Sequence, residues 1–414
     1  MGQYKSDSLV AVYPFSRQVE GEEVVIGHPE TNSFLVLPFD ALEILDYLAL
    51  GKTVGETQLI YQEKYGELPD IDDLLKILEG KGFVKLLLQN ETNCHTAKAA
   101  TLTPPTFKAA KVRYHFTNFP RSLAQKLFSR PILIGCATLI GLALIAITLD
   151  HTLIPGWNAY FFPENTTLMI VVLTILDCLT LFLHEMAHLI AARALGVSCR
   201  MGISNRMWML VAETDMTGIW GVPRNQRYLP FLAGALLDTV SAAILTLILM
   251  AQKYDWIFMS PVILQLSRAL LLNYLLGLLW QCYFFMRTDF YYVIANFFHC
   301  KSLMKDTEEF VRNQLGRVIR KVRKVDQSHI PARERSIIRL YAILWAVGRI
   351  IAIASLIFIT LPLMWHYCVK LFSVFRTGFS ANPYGFVDAF FLILLACIPQ
   401  VLGFGLWIGS FSKR

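Results

Sequence analysis

The chain has 414 residues, of which 55% are hydrophobic and 17% charged, with a mean hydropathy of +0.47. This composition, with several long apolar runs, excludes an ordinary soluble protein and predicts a polytopic membrane protein that also carries a soluble part. The net charge of +7 would suit nucleic acid, but the lysines and arginines gather beside the apolar runs. Basic residues in that position follow membrane topology, so we expect membrane lipid as a partner and no nucleic acid.

Residues 1–90 predict a small α+β domain. Short β-branched and aromatic runs on either side of a turn signal predict a hairpin, and apolar residues at helical spacing predict three helices after it. Thr53 with Glu56 has the pattern of a capping box at the start of the second helix, and Asp70 is a candidate cap for the third. A last short run returns as a strand and completes a winged-helix layout. The predicted strands are 24–26, 34–37 and 82–86, and the predicted helices are 39–48, 53–65 and 70–80.

Six apolar runs predict membrane-spanning helices, so the expected fold class is a polytopic α-helical membrane protein with an N-terminal winged-helix domain. Loops 194–227 and 299–336 are rich in Arg and Lys, and basic loops stay in the cytoplasm. We therefore expect an integral protein of the bacterial cytoplasmic membrane with both termini in the cytoplasm. The predicted spans are 131–149, 167–193, 228–251, 261–286, 337–365 and 386–408. The predicted parts are the domain 1–90, a basic linker 91–130, a four-span core 131–300, a basic loop 301–336 and a two-span part 337–414.

Two histidines and a glutamate stand inside the second predicted span. His184 and His188 are four residues apart, so they share a helix face and can bind one metal ion. Glu185 follows directly and can deprotonate a metal-bound water, which is the pattern of a zinc hydrolase. Ionisable residues are costly in a membrane span and usually have a function there. The alternative is a helix whose polar residues are merely paired within a bundle.

A catalytic zinc ion takes three protein ligands and keeps one position open for water. The third ligand can be Asp177, Asp238, Asp289 or His299. Asp177 lies seven residues before His184 on the same helix, roughly 10 Å along the axis, which is too far. Asp238 has a plausible depth but no supporting motif. Asp289 follows the fourth span on the same side of the membrane as both histidines, so we expect Asp289, unless it is an interfacial residue that pairs with Arg287.

Two further groups of charges need an explanation. Arg349 lies about midway along the fifth predicted span, so we expect it to face the bundle and to pair with Asp177 or Asp238. The basic segment 317–324 is expected to lie on anionic lipid as a solvated helix face. Both roles are structural.

With these residues, the chain resembles the site-2 protease family of intramembrane zinc metalloproteases over about residues 170–300. The likeness is closer to a branch of peptide zinc metalloproteases, whose motifs match 216–220 and 289–292. The resemblance implies that Zn2+ is held by His184, His188 and Asp289, that Glu185 is the catalytic base, and that an amide helps to polarise the substrate carbonyl. Three positions depart from the family pattern: Phe290 replaces a glycine, Phe284 replaces a proline, and Gln281 replaces the asparagine that supplies the amide.

The N-terminal domain resembles the PqqD-like domain, or RiPP recognition element, over about 70 residues. The likeness lies in the segments 22–26, 32–37, 51–54, 65–66 and 82–84. In that family a leader peptide adds a strand to the sheet edge and lies against the third helix. The alternatives are a structural cap and a DNA-binding domain, although four acidic residues on the third helix would repel phosphate.

The segment 200–220 predicts a strand-rich hairpin at the membrane face. As a hypothesis, it pairs with the substrate as an added strand, and we expect substrate contacts at Trp208, Met209, Val211 and Tyr292. The alternative is an amphipathic surface loop without such a role.

Together these patterns predict an intramembrane zinc endopeptidase that cleaves a precursor or leader peptide near the cytoplasmic face. The expected partners are the precursor peptide, membrane lipid and a peptide exporter. The alternative is a non-proteolytic membrane scaffold or export accessory that binds the peptide. Glu185 favours the enzyme, because a structural zinc site has no need of a base.

Overall fold

A computed structural model describes the two compact units of the chain. The described residues are 4–21, 23–28, 33–87, 119–160, 166–300, 302–318, 324–327, 330, 332–362 and 401–409, with a few single positions between 365 and 399. The first unit consists of Met1–Thr117, Leu195–Arg200 and Met216–Arg227, and the second consists of Asn118–Ala194, Met201–Asp215 and Tyr228–Arg414.

The first unit contains short strands and three helices in its described part. They are β1 Val10–Val12, β2 Ser16–Glu20, β3 Glu23–His28, β4 Ser33–Pro38, α1 Phe39–Ala49, α2 Val54–Tyr65, α3 Ile71–Gly80 and β5 Val84–Leu86. Strands β2, β3 and β4 form an antiparallel sheet with β3 in the middle, and β1 pairs with β5 in a second sheet. The helices bury Leu45, Leu48, Leu75 and Leu78 in one core with Phe83.

The predicted hairpin, three helices and closing strand are all present in this unit. The hydroxyl of Thr53 accepts a hydrogen bond from the Glu56 backbone N–H at 3.2 Å. The Glu56 carboxylate accepts one from the Thr53 backbone N–H at 2.9 Å, so the capping box is confirmed. Asp70 caps α3 as predicted. Four residues of the predicted turn, 29–32, lie outside the described residues.

Two strands of this unit were not predicted. β1 has only three residues, and β2 is polar apart from Val19, which is exposed. The closing strand, β5, pairs with β1 and not with the hairpin. The two strands are antiparallel, with Val10 opposite Leu86 and Val12 opposite Val84.

A later segment of the chain completes the first unit, which therefore extends beyond the predicted domain 1–90. Two 3-10 turns, Thr217–Gly221 and Arg224–Gln226, precede Arg227, and the first of them packs against strands β2, β3 and β4. Arg227 is buried; its guanidinium donates to the backbone oxygens of Val222 and Trp220, both at 2.8 Å, and pairs with Glu20 of β2. These contacts fasten the segment to the sheet.

The second unit is helical, with one hairpin. Its elements are α4 Arg121–Leu127, α5 Arg130–Leu149, α6 Thr166–Ala194, β6 Arg200–Arg206, β7 Met209–Asp215, α7 Tyr228–Lys253, α8 Pro261–Gln281, α9 Asp289–Phe297, α10 Leu303–Val318 and α11 Ala332–Ser355. A π-helical turn, Leu356–Thr360, follows α11, and residues 401–409 are helical. The strands β6 and β7 pair through a turn in which Met207 has a positive φ of 56°.

Within the described residues, five helices are long and apolar enough to cross a membrane, and they indicate a polytopic helical membrane protein. They are Arg121–Leu149, Val171–Ala194, Arg224–Lys253, Pro261–Gln281 and Arg333–Phe358, which correspond to the first five predicted spans. Their outer faces expose large apolar side chains, which suit lipid: Ile134, Leu144, Leu149, Leu340, Ile343 and Ile350. Most of the sixth predicted span, 386–408, lies outside the described residues.

One predicted boundary is wrong, and two predicted connecting segments contain a helix. The fourth span ends at Gln281 and not at 286, because the hydroxyl of Thr288 donates to the Gln281 backbone oxygen at 2.9 Å and the chain turns there. The linker 91–130 contains α4, whose Arg121 side chain donates to the backbone oxygen of Ala194 at the end of α6 at 3.3 Å. The basic loop 301–336 contains the helix α10.

The predicted partner of Arg349 is also wrong. Its guanidinium lies 3.5 Å from the carboxylate of Glu308 on α10, because α10 packs against α11. Asp177 instead accepts from the amide of Asn273 at 2.9 Å, and Asp238 contacts His184.

Candidate metal centre

The helix α6 presents His184 and His188 on one face. Both residues are buried, with 6% and 2% of their surface exposed, and their Nε2 atoms lie 3.1 Å apart. The spacing of four residues predicts this arrangement, since one helical turn separates the two rings. The two imidazoles therefore point at a common position.

Asp289, the first residue of α9, reaches the same position. Its Oδ2 atom lies 3.0 Å from His184 Nε2 and 3.2 Å from His188 Nε2. The Asp289 carboxylate thus contacts both imidazoles, and the three residues form a group that can hold a metal ion.

The second nitrogen of each imidazole fixes where its proton lies. His188 Nδ1 is 2.7 Å from the backbone oxygen of Pro230, which can only accept, so Nδ1 must carry the hydrogen. His184 Nδ1 is 2.7 Å from the Asp238 carboxylate and donates to it in the same way. Both Nε2 lone pairs then face Asp289. Three electron-pair donors that meet at this distance need a cation between them, either protons or a metal ion.

The ligand triangle has the size that a tetrahedral metal ion requires. Its edges are 3.0, 3.1 and 3.2 Å. Tetrahedral ligands about 2.0 Å from a metal ion lie about 3.3 Å from one another. Two imidazoles and a carboxylate suit zinc and also other divalent transition metals, so the donor set alone leaves the identity of the metal open.

Without a metal ion, protons are the cation between the three donors. Burial raises the pKa of the Asp289 carboxyl, but the charges of His188 and His184 and their hydrogen bonds outweigh it, so its pKa lies well below the ordinary value. Asp289 is therefore ionised and ready to bind a cation.

One face of α7 closes the group from the other side. Pro230, Gly234 and Asp238 stand four residues apart on this helix, so they share a face. The outer two accept from the imidazoles, and the middle residue must be glycine. A Cβ atom on Gly234 would lie 2.4 Å from His184 Nε2 and 2.5 Å from His188 Nε2, which is closer than atoms can approach. Asp238 is thus an orienting residue and not a metal ligand.

Glu185 is buried beside the histidines and held by the hairpin. Its Oε2 atom accepts from the hydroxyl of Thr214 on β7 at 2.7 Å, and only 6% of its surface is exposed. Thr214 therefore fixes the carboxylate of Glu185, the predicted base.

Gln281 supports the start of α9 beside the metal-binding group. Its Oε1 atom accepts from the backbone N–H of Asp289 at 3.0 Å, so the side chain anchors the start of α9. The Gln281 side chain thus reaches from the end of α8 to the first residue of α9. The amide nitrogen is the remaining donor end of the side chain.

The predicted substrate residues separate into two groups. Tyr292 stacks on Phe231 with 5.6 Å between ring centroids, next to Pro230 and one turn after Asp289, so it lies near the metal-binding group. Trp208 and Met209 instead join a cluster with Phe404 of the helix 401–409, and Trp208 is buried there. Val211 is half-buried on β7.

The remaining ligand candidates lie elsewhere. Asp177 bonds to Asn273, and the His299 ring lies 3.3 Å from the guanidinium of Arg333. Neither belongs to the group of His184, His188 and Asp289.

Sequence reasoning missed the roles of four residues around this group. The spacing of Pro230, Gly234 and Asp238 was a usable signal, because an acceptor, a small residue and an acid at four-residue intervals suit the face opposite a histidine pair. For Thr214, nothing in the sequence indicated a contact with Glu185.

Comparison with protein-family models, with curated proteins and with solved structures found no match to this chain.

Proposed function

We propose that this protein is a membrane-embedded zinc endopeptidase. The observation that carries the proposal is the convergence of His184, His188 and Asp289, with the buried carboxylate of Glu185 beside them. A purely structural metal site has no use for a buried base next to its ligands. The apolar setting of α6 makes such ionisable residues costly, which favours a functional reason for them.

Zinc is the metal we propose, because two histidines and one carboxylate with a fourth position for water form a common catalytic zinc site. A bound zinc ion supplies an acidified water and polarises a carbonyl oxygen.

The protein's own residues then handle the proton. Glu185 takes a proton from the water and delivers it to the leaving amine, as a general base and then a general acid. Thr214 keeps the Glu185 carboxylate in place through its hydroxyl. Asp238 and Pro230 keep both imidazoles in the tautomer that presents Nε2.

The substrate must be extended at the point of cleavage, since a helix buries its carbonyls in its own hydrogen bonds. Strand β7 carries Thr214 and so reaches the base directly. Its location supports the proposal that the substrate pairs with the hairpin as an added strand.

The N-terminal unit is proposed to select the substrate. A three-stranded sheet followed by three helices, with an acidic α3, supports the winged-helix interpretation and its likeness to PqqD-like leader-binding domains. A peptide that adds a strand to this sheet would be the precursor, with an exporter as a further partner.

The second candidate function is a proteolytically silent scaffold that binds the peptide. The positions of Gln281 and Trp208 favour this candidate, because the side-chain oxygen of Gln281 holds the start of α9 and Trp208 is buried in a cluster with Phe404.

One experiment separates the two functions. Purified full-length protein in detergent is incubated with fluorescent precursor-like peptides, with zinc or after chelation. Glu185→Gln is tested beside the control Glu309→Gln, which changes a half-buried acid of α10 outside the metal-binding group. We expect cleavage only with zinc, its loss in Glu185→Gln with metal retained, and ordinary cleavage in Glu309→Gln. Cleavage that persists in Glu185→Gln would overturn the assigned base. Peptide binding without any cleavage by the zinc-loaded protein would support the scaffold.

A further inference from the structure

A cavity of about 370 Å³ lies between α10 and α11, away from the metal-binding group. Three arginines line it, Arg317 from α10 with Arg335 and Arg339 from α11, and its apolar side includes Phe310 and Ile338. Arg335 and Arg339 are one helical turn apart, so they share a face of α11. The cavity therefore brings three guanidinium groups together.

The lining of this cavity has an unbalanced charge. Among the described residues that line it, there is no aspartate or glutamate. Among the residues that the structure describes, Arg317 and Arg339 make no hydrogen bond and no ion pair, and both are exposed. Arg335 donates through Nε to the backbone oxygen of Ile330 at 2.8 Å, so the positive charge without a partner comes from Arg317 and Arg339. The site is thus positive and open to a ligand.

The wall opposite α11 is built by specific hydrogen bonds. The amide of Asn313 donates to the Val325 backbone oxygen and accepts from its N–H, both at 2.8 Å. Gln327 donates to the Asp306 backbone oxygen at 2.8 Å. These amides hold the segment 324–327 against α10. These hydrogen bonds build the cavity, and Arg317 and Arg339 remain as its donors to a ligand.

The chemistry and location of the cavity indicate its ligand. Planar guanidinium groups match phosphate oxygens in pairs, and arginine is preferred where phosphate is recognised. Arg335 and Arg339 stand at the beginning of the candidate span Arg333–Phe358, where a membrane helix meets the polar headgroups. We propose that this cavity binds a phosphate ester, presented by the headgroup of an anionic membrane lipid or by a small soluble phosphate.

The test measures how many lipid molecules the full-length protein retains. Native mass spectrometry of the protein in uncharged detergent is performed with dioctanoyl phosphatidylglycerol, with dioctanoyl phosphatidylcholine, and with glycerol phosphate as a soluble competitor. We expect one tightly retained phosphatidylglycerol per chain and weaker retention of phosphatidylcholine. Each of Arg317→Gln and Arg339→Gln should weaken retention about fivefold, the effect of one basic residue at an anionic lipid.

The matched control is Arg312→Gln, an exposed arginine of α10 that does not line the cavity. It should leave retention unchanged. Displacement of the lipid by glycerol phosphate, with the same dependence on Arg317 and Arg339, would identify a soluble phosphate as the ligand and support the site. Equal weakening by Arg312→Gln would overturn the proposal in favour of diffuse surface charge. Unchanged retention in the variant with both Arg317→Gln and Arg339→Gln would overturn it as well.

Discussion

Asp238 accepts a hydrogen bond from His184 Nδ1 at 2.7 Å, across the interface between α7 and α6. The carboxylate therefore decides which nitrogen of the ring carries the proton. It also makes the ring a stronger electron-pair donor toward the metal position.

Asp238→Asn should weaken metal binding about tenfold to a hundredfold, the usual effect of removing a partner that orients a ligand. Zinc affinity measured by competition with a fluorescent chelator checks this. Asp177→Asn is the matched control, since Asp177 is also an acid in a span but bonds to Asn273. Equal affinity in the two variants would contradict the orienting role of Asp238.

Gly234→Ala should abolish metal binding, because its Cβ would lie 2.4 Å from His184 Nε2. Either α7 moves away from α6 or a histidine turns, and overpacking of this kind destabilises by about 1–3 kcal/mol. Gly277→Ala on α8 is the control, since its Cβ meets no atom within 4 Å. Metal content and thermal unfolding are measured for both. A Gly234→Ala protein that keeps its full metal content would show that α7 is not packed as described.

Thr214→Val should lower kcat about tenfold and leave KM and metal content unchanged, since it removes one hydrogen bond to a charged group. Thr214→Ser should restore most of the rate. Thr246→Val, which removes a buried hydroxyl on α7 far along the helix, serves as the control. If Thr214→Val loses metal as well, its role is structural.

Gln281→Leu should reduce metal retention about tenfold, because the Asp289 backbone N–H would lose its acceptor in a buried setting. Gln265→Leu, on the same helix and bonded to the backbone oxygens of Asn158 and Ala159, is the control. Metal retention after dialysis is measured beside kcat. A lower kcat with unchanged metal retention would instead support the predicted role of Gln281 at the substrate carbonyl.

Arg227→Met should destabilise the first unit by about 3–5 kcal/mol, because it breaks the ion pair that the buried Arg227 guanidinium makes with Glu20 and removes its hydrogen bonds to the backbone of Val222 and Trp220. Replacing both residues, with Glu20→Gln, should destabilise less. Arg17→Met breaks an exposed ion pair with Asp46 and should have an effect below about 1 kcal/mol. Thermal unfolding and trypsin sensitivity of the full-length protein report the differences. Equal effects of the two arginine substitutions would show that burial of Arg227 is unimportant.

Local physics made part of this structure predictable. One helical turn separates His184 from His188, and the capping box of Thr53 and Glu56 spans three residues, so both follow from nearby sequence alone. Long apolar runs gave the first five spans for the same reason. The prediction of Asp289 as the third ligand required two further arguments, the side of the membrane on which it lies and a resemblance to a known motif.

Long-range packing decided what sequence reasoning could not. The burial of Trp208 depends on a helix about 200 residues later, and Gly403 lets that helix approach, since a Cβ there would lie 2.0 Å from the Trp208 backbone oxygen. Glu308 became the partner of Arg349 only because α10 lies against α11. Such pairings depend on which elements meet in space, which periodicity along one element does not specify.

The discontinuous first unit limits how this protein can be recombined. Its sheet is completed by Met216–Arg227, a stretch that belongs to the middle of the gene rather than to its beginning. Genetic exchange of residues 1–117 with those of a distant relative would therefore bring a foreign sheet to Ile219 and to the Arg227 guanidinium, both nearly fully enclosed here. Such a chimera should fold its first unit only when the middle stretch is exchanged with it.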